Sequence, residues 1–256
     1  MRQADGGRSP LGHQAPWPPA PGQQAPGQSV VSQVLAGQAG QAGGRDGPVG
    51  PAGAGGPGGL AGGRVRVEQD LPPGQVVRPD WPAQHYGRVP RFRPDTWTFT
   101  VTGTTESGVE HHWDWAGITR LPRCAVTADL HCVTKCTIPA IAWEGIAAAE
   151  ILSAAPPDGA VTHVMVWAEY GYSANIGIGD FAAGTTLFAT AVAGVPLTPE
   201  HGYPIRLVVP HLYGWKSVKW VRAVEYLTEN RRGFWEERGY HNSADPWHEE
   251  RFSYQE

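Results

Sequence analysis

The sequence predicts an α+β fold with mixed sheets and short helices for residues 65–256. Stretches with the apolar pattern of β-strands recur in this region, whereas one stretch has helical spacing. The elements lack the regular βαβ alternation that is typical of a parallel α/β fold. At this length, one domain with a substantial core is expected.

The first predicted elements precede the middle of the chain. Leu71–Pro94 is rich in proline, arginine and aromatic residues, which favours an extended, ordered loop over the surface. Trp97–Gly103 alternates between apolar and polar residues and ends at glycine, so a strand is predicted. Ile141–Leu152 combines helical spacing with good helix formers, which predicts a helix.

The later elements are mainly strands. Val161–Trp167 has strand character, and Ile205–Pro210 is a continuous apolar run that predicts a buried strand stopped by proline. Ser217–Leu227 alternates in part and predicts a further strand. The last stretch, Gly233–Phe252, is too polar and aromatic for a core element, so we expect it to wrap over the domain.

The N-terminal segment, residues 1–64, has a different composition. It contains 18 of the 34 glycines and 9 of the 24 prolines, with few large apolar side chains. Such a segment cannot bury enough surface to offset its ordering entropy, and we predict that it is disordered. Its glycines do not follow a strict Gly-X-Y period, which excludes collagen. Two interpretations of this segment remain open: a tether or partner-binding arm, and an inert tail.

Charge and hydropathy argue against several function classes. The net charge is −4 and no basic block is present, so nucleic-acid binding is not expected. No apolar run of about 18 residues predicts a membrane-spanning helix. The N-terminus has neither an apolar signal core nor a twin-arginine motif, so a cytoplasmic location is expected. The three cysteines, an odd number, do not suggest a disulfide scaffold.

The stretch Asp129–Thr137, DLHCVTKCT, leaves four possibilities: a metal site, a redox pair, a nucleophile, or a strand with small buried residues. Cys132 and Cys136 are four positions apart. Zinc could be held by both cysteines and one histidine, but this spacing matches structural zinc sites poorly. No CxxC or CxxCH motif supports thioredoxin-like chemistry or covalent haem. The candidate histidines are His111, His112 and His131.

A second stretch, His201–Trp220, carries cations and a hydroxyl close to predicted strand ends. Arginine, lysine, hydroxyl and backbone N–H groups in such positions suit a phosphate and a polar heterocycle. No P-loop and no GxGxxG after a strand support the common nucleotide folds. The candidate binding residues are His201, Arg206, Lys216, Ser217 and Lys219.

With the W-x-G of Trp143–Gly145 and the pair Gly171–Tyr172, these stretches resemble the sulfite-oxidase-type molybdopterin domain. The resemblance covers about residues 80–256, and HG-x-P-x-R-x-VVP followed by K-S-x-K is its most specific part. The ending, Gly233–Arg251, resembles a bacterial subgroup of standalone domains. The resemblance implies a sulfite-oxidase-like molybdopterin-binding fold and a molybdenum–molybdopterin cofactor.

The resemblance also implies a role for each matching residue. Cys132 matches the molybdenum ligand and is the expected catalytic and metal-binding residue; a thiolate suits a metal already held by the sulfur atoms of the pterin. His201 and Arg206 match pterin-binding positions, and Tyr172 matches an active-site tyrosine that donates a hydrogen bond near the metal. The phosphate-binding loop corresponds to Lys216, Ser217, Val218 and Lys219, and the early pterin-contacting loop to His85, Tyr86, Arg88 and Val89.

The chain departs from sulfite oxidases where arginines attract the sulfite dianion. Ala142 precedes the tryptophan of W-x-G, and Gln84 stands in the early loop, where those enzymes have arginine. We also expect no dimerisation domain, which supplies a third arginine, because too few residues follow. Sulfite should therefore bind poorly. Cys136 replaces a tryptophan of the subgroup and is either a redox-sensitive thiol or a buried structural cysteine; Cys124 has no predicted role.

The sequence thus predicts a molybdenum-cofactor-dependent oxidoreductase with two-electron oxygen-atom transfer on a small substrate. Both S-oxide or N-oxide reduction and sulfite-like oxidation remain open. The chain has no haem or flavin motif, so an external electron donor or acceptor protein is expected. A non-catalytic binding domain that kept the fold is the alternative, and a zinc hydrolase is a third possibility.

Overall fold

A computed structural model describes residues 70–256 of the chain. The predicted disordered segment 1–64 and the domain boundary at residue 65 lie outside the described residues. Eleven strands and three α-helices occur among the described residues. The strands are β1 Val76–Val77, β2 Thr98–Gly103, β3 His111–Asp114, β4 Arg123–Cys132, β5 Cys136–Ala147, β6 His163–Ala168, β7 Ser173–Gly177, β8 Leu187–Val192, β9 Val195–Pro196, β10 Arg206–Val208 and β11 Val221–Leu227.

The strands form two mixed sheets, as the predicted fold class requires. The first sheet has the order β1-β5-β8-β10, with β4 paired to β5 and β9 paired to β8. All its pairs are antiparallel except β1 with β5. The second sheet has the order β3-β2-β11-β6-β7, in which only β2 and β11 are parallel.

The helices are short. They are α1 Trp115–Ile118, α2 Ala148–Ala154 and α3 Ile178–Phe181. Single 3₁₀ turns add Glu169–Gly171, Pro199–His201, Glu236–Arg238 and Ser253–Gln255. Among residues 70–256, no helix has the length and apolarity that crossing a membrane requires.

The predicted helix over Ile141–Leu152 is wrong in its first half. Residues up to Ala147 continue strand β5, and only Ala148–Ala154 is helical. The register pairs Trp143 with Val192 and Ala147 with Leu187, so cross-strand bonding to β8 decides the conformation against local helix propensity.

The other predicted strands are confirmed with adjusted ends. The stretch from Ser217 starts its strand only at Val221, because residues 217–219 form part of a buried turn. Ile205–Pro210 contains the short strand β10. Leu71–Pro94 is a loop that contains a turn at residues 73–74 and the short strand β1, and the C-terminal stretch has no strand or α-helix.

The core consists of two clusters. The larger one lies between the sheets and joins Phe99 and Val224 of the second sheet to Phe188 of the first. The smaller one includes the indoles of Trp81 and Trp143, whose centroids lie 5.2 Å apart. The smaller cluster supports the candidate site, because the ring of His201 packs 4.1 Å from that of Trp81.

Candidate active site

Cys132 ends strand β4 and is partly exposed. Its thiol donates to Gln84 Oε1 at 3.3 Å and accepts from the hydroxyl of Thr134 at 3.0 Å. The stretch Asp129–Thr137 is thus a β-hairpin, and its first cysteine reaches the early loop 48 positions upstream. The thiol is supported by neutral polar groups.

Cys136 begins strand β5 directly opposite Cys132. Its side chain is buried, and burial raises the pKa of its thiol, with the neighbouring Cys132 adding to this rise. A thiol with a raised pKa is a poor metal ligand at neutral pH. Both predicted alternatives for Cys136, a redox-sensitive thiol and a buried structural cysteine, stay open.

Arg206 is buried beneath the site. Nη1 donates to His201 O and Nη2 to Ser217 O, both at 3.1 Å. The guanidinium also lies 5.3 Å from the ring centroid of Trp143. Burial lowers the pKa of Arg206 to about 10, which still leaves it charged at neutral pH.

Lys219 lies on the isolated bridge to Arg206. Its ammonium donates to Gln84 O at 2.6 Å and to Glu200 O at 2.7 Å. Burial and the cation of Arg206 lower its pKa well below the ordinary value. Within residues 70–256, neither Lys219 nor Arg206 forms an ion pair with a carboxylate. The two cations are thus uncompensated.

His201 is the third predicted cofactor-binding residue of this group. Its Nε2 lies 3.2 Å from Trp81 O and carries the proton, since a carbonyl can only accept; Nδ1 lies 2.8 Å from Thr198 Oγ1. Burial, followed by the charges of Lys219 and Arg206, lowers the pKa of His201 to about 4. His201 is therefore neutral at physiological pH.

Lys216 has a different environment from the one predicted for a phosphate-binding lysine. Its ammonium is buried and contacts Glu236 Oε1 at 2.7 Å, Asn175 O and Oδ1 at 2.8 Å each, and Asn242 O at 2.6 Å. These acceptors occupy all three of its N–H groups. The geometry assigns Lys216 to the attachment of the C-terminal segment, which corrects the predicted role.

The neighbouring loop residues are also engaged within the protein. Ser217 Oγ accepts from Val209 N at 3.0 Å, and the buried Val218 accepts from Leu207 N through its carbonyl oxygen. The N–H groups of Ser217 and Val218 donate to Gly214 O and Lys216 O. The predicted donation of these N–H groups to a phosphate is therefore not available in this conformation.

The early loop lies over the site through residue Gln84, which contacts both Cys132 and Lys219. His85 is exposed, with its ring centroid 5.6 Å from that of Trp220. Tyr86 packs against the rings of Phe234 and Trp235, and the Arg88 guanidinium lies 4.6 Å above the Tyr170 ring. The half-buried Val89 completes the loop. Gln84 thus brings the start of this loop to Lys219, whereas the pterin contacts of the four predicted residues stay a prediction.

A thiol in one site with the buried guanidinium of Arg206 and the half-buried ammonium of Lys219, neither paired with a carboxylate among the described residues, fits an anionic group that also carries a thiophilic metal. The family described as the oxidoreductase molybdopterin binding domain matches residues 86–235, more than half of the chain. The chain is a molybdopterin-binding domain of the sulfite oxidase family. The predicted enzyme class is therefore confirmed.

Relatives of this molybdopterin-binding domain support the assignment. The protein named uncharacterized oxidoreductase YuiH of Bacillus subtilis (strain 168) is 39% identical over 185 residues, which are 72% of this chain and 92% of that protein. The protein-methionine-sulfoxide reductase catalytic subunit MsrP of Gluconobacter oxydans (strain 621H) is 26% identical over 60% of this chain and 56% of its own length. Human mitochondrial sulfite oxidase is 26% identical over 59% of this chain, but only 33% of its own length.

The fold also agrees. The crystal structure of the sulfane dehydrogenase SoxCD from Paracoccus pantotrophus superposes with a TM-score of 0.52 at 19% identity. The match covers 57% of this chain and 42% of that one. The predicted sulfite-oxidase-like architecture is confirmed.

Tyr172 does not have the free hydroxyl that its predicted role requires. Its phenol donates to Trp215 O at 2.6 Å, and burial raises its pKa well above the ordinary value. Its hydroxyl therefore serves the packing of the molybdopterin-binding domain in this conformation, which corrects the predicted donation near the metal.

Tyr240 is a site residue that sequence reasoning missed. Its pKa is raised by burial and, secondarily, by the charge of Cys132, so its phenol stays protonated at neutral pH. The signal was present in the RGYHN of the C-terminal stretch, which matched the bacterial subgroup. That stretch is distant in sequence from Cys132, and only the fold brings the two together.

The zinc alternative finds no ligand set among the described residues. No group of three or more His, Cys, Asp and Glu side chains within residues 70–256 could hold a metal ion. His131 is buried and its Nδ1 lies 2.9 Å from Thr137 Oγ1, away from the Cys132 thiol contacts.

A further feature is the indole N–H of Trp143, which is buried and has no acceptor among the described residues.

Proposed function

We propose that this domain is a molybdenum-cofactor-dependent oxidoreductase that transfers an oxygen atom to or from a small substrate. One observation carries the proposal: the Cys132 thiol lies in the same site as the uncompensated cations Arg206 and Lys219. Burying the Arg206 cation without a carboxylate, next to the ammonium of Lys219, is costly, and an anionic ligand would offset that cost.

Each residue of this site has a different proposed role toward the cofactor. Cys132 would supply a thiolate ligand to the metal, while Arg206 and Lys219 would neutralise the anionic end of the pterin. Neutral His201 would donate or accept one hydrogen bond without adding charge. When bound, the cofactor supplies the two-electron chemistry at the metal.

The surroundings of Cys132 favour an uncharged substrate. Both side-chain contacts of its thiol are neutral, and one comes from Gln84, where sulfite oxidases are expected to have arginine. An S-oxide or N-oxide needs a hydrogen-bond donor but no cationic pocket, whereas the sulfite dianion needs cations. The name of the Gluconobacter relative, a protein-methionine-sulfoxide reductase, supports reduction of an S-oxide.

Tyr240 is proposed as the proton donor of this reduction. Its raised pKa, to which the charge of Cys132 contributes, keeps the proton on Oη at neutral pH. An external protein would deliver the two electrons, because no haem or flavin motif occurs in the chain. The cytoplasmic location expected from the sequence stays a prediction.

The decisive experiment compares Cys132→Ser with Cys124→Ser. We expect the wild type and Cys124→Ser, purified from a host that makes the cofactor, to contain about one molybdenum and one pterin per chain. Cys132→Ser should lose most of its turnover of a model sulfoxide with an artificial electron donor. Full turnover by Cys132→Ser would refute the mechanism.

The alternative, a binding domain without turnover, makes a different prediction. The absence of the arginines at Ala142 and Gln84 favours it. It predicts no reduction of any S-oxide or N-oxide by a preparation that contains molybdenum and pterin. Robust reduction of one such substrate would eliminate it.

A further inference from the structure

The hairpin that carries Cys132 holds a second thiol at the opposing position. Cys132 and Cys136 are Cα partners in the β4–β5 ladder, and three residues connect them. Residues directly opposite in an antiparallel pair project to the same face, with Cα atoms about 4.5 to 5.5 Å apart. This range lies within the Cα separations of about 4.4 to 6.8 Å that disulfides span.

Side-chain contacts support the proximity of the two sulfur atoms. The hydroxyl of Thr134 lies 3.0 Å from Cys132 Sγ and 3.7 Å from Cys136 Sγ. Both thiols therefore surround one hydroxyl at the tip of the hairpin. Cys124, the third cysteine, lies near the other end of β4 opposite Gly145, eight positions from Cys132.

We propose that Cys132 and Cys136 form a reversible disulfide in the cofactor-free chain, and that this bond controls cofactor loading. The first part stands on the hairpin geometry alone. The second rests on the proposed function, since a Cys132 sulfur bonded to Cys136 has no thiolate to offer a metal.

The exchange balances with a small-molecule disulfide as oxidant. The more exposed Cys132 attacks one sulfur as thiolate, which breaks the external S–S bond and releases one thiol. Cys136, deprotonated, then attacks the Cys132 sulfur of the mixed disulfide and releases the second thiol. The two protein thiols lose two electrons, the external disulfide gains them, and the two protons end on the released thiols.

The disulfide would protect the Cys132 sulfur from irreversible oxidation. An unligated, partly exposed thiol is open to overoxidation, whereas a disulfide is recovered by thiol reduction. In oxidised chains the Cys132 sulfur would stay protected until a reducing environment restores the thiolate ligand.

The test uses cofactor-free chain incubated with oxidised glutathione, followed by alkylation, trypsin and mass spectrometry. Trypsin cleaves after Lys135, between the two cysteines. We expect two tryptic peptides joined by a reducible bond, with the intact mass lower by two hydrogen atoms. The linkage should persist in Cys124→Ser and disappear in both Cys136→Ser and Cys136→Ala, which would retain glutathione on Cys132.

The outcomes separate this inference from the proposed function. Alkylation of both Cys132 and Cys136 in the oxidised wild type, or a link from Cys132 to Cys124, would overturn the disulfide. Molybdenum cofactor uptake should occur in the reduced chain, be lost in the oxidised chain and return after thiol reduction. Equal uptake in both redox states would overturn the control of loading. A disulfide that forms in a chain with no uptake in either state would refute the proposed function instead.

Discussion

Lys216 and Lys219 show how one short stretch can carry two different kinds of lysine. Both have depressed pKa values because of burial. Lys216 is matched by the buried carboxylate of Glu236, whereas Lys219 has only the carbonyl oxygens of Gln84 and Glu200. The first arrangement is complete in the protein, and the second is suited to receive an anion.

Replacing Lys216 by methionine should therefore reduce stability, whereas replacing Lys219 by methionine should mainly reduce pterin content. Lys216→Met leaves Glu236 as an unpaired buried charge and should cost about 3 to 5 kcal/mol of unfolding free energy. Lys219→Met should change the stability of the cofactor-free chain by about 1 kcal/mol or less but reduce its pterin content. Urea unfolding and pterin assay of both variants test this contrast. Similar stability losses in the two variants would contradict it.

The lowered pKa of His201 predicts that the stability of the cofactor-free chain depends on pH. Its folded pKa is about 4, against about 6.5 in the unfolded chain. Because the folded pKa is depressed, this contribution is fully present above about pH 6.5 and is lost as the pH falls toward 4. The shift amounts to about 3 kcal/mol.

Urea unfolding of the cofactor-free chain between about pH 7 and pH 5 tests the His201 contribution. His201→Gln should show a shallower decline than the wild type, by up to about 1.4 kcal/mol per pH unit. His131 and His163, whose pKa values are also lowered by burial, remain in both proteins and cancel in the comparison. Parallel pH profiles would show that His201 is not the buried neutral group described.

At the scale of elements, the β5–β8 contact depends on Gly145. A Cβ at this position would lie 2.0 Å from Phe188 O and 2.7 Å from Ala189 Cα, both backbone atoms that cannot move separately. The glycine of W-x-G is thus required by strand packing in the first sheet. This gives a structural reason for a motif residue that the sequence presented as part of a family pattern.

Gly145→Ala should destabilise the domain by at least about 3 kcal/mol, because the two strands must separate to admit the methyl group. Gly159→Ala is the matched control, since a Cβ there meets no atom within 4 Å. Its effect should stay within about 1 kcal/mol. Thermal and urea unfolding measure the stability of both glycine variants. A stable Gly145→Ala would show that the strands lie farther apart than described.

At the scale of the whole molecule, the C-terminal segment is attached by a few buried charged residues. Arg251 donates to Val133 O at 2.7 Å, in the hairpin that carries the two cysteines. Its guanidinium also lies 5.1 Å from the Tyr213 ring centroid. Arg251 therefore links the end of the chain to the tip of the active-site hairpin.

Arg251→Met should destabilise the domain by about 2 kcal/mol, because it removes charged hydrogen bonds to backbone carbonyls. It should also increase amide hydrogen exchange at Thr134 and Lys135, next to the carbonyl it releases. Arg120→Met, at an exposed position, is the control and should have an effect within about 0.5 kcal/mol. Unchanged exchange in the hairpin would contradict the proposed link.

The sequence by itself determined the fold class and the family, and it singled out Cys132, His201 and Arg206 as candidate site residues. The reason is that Cys132, His201 and Arg206 lie in short patterns whose spacing is fixed along the chain. Strands with strong local patterns, such as Thr98–Gly103, were likewise predictable. Local sequence carries these signals because neighbouring residues share one element.

Only the tertiary structure decided which groups are paired. Lys216 meets Glu236, β5 continues to Ala147 against β8, and the hydroxyl of Tyr172 donates to Trp215 O. Each outcome depends on residues at least 20 positions apart, since cross-strand bonding, burial and ion pairing act between elements. The distinction between a lysine that supports the fold and one that awaits an anion therefore cannot be read from the chain alone.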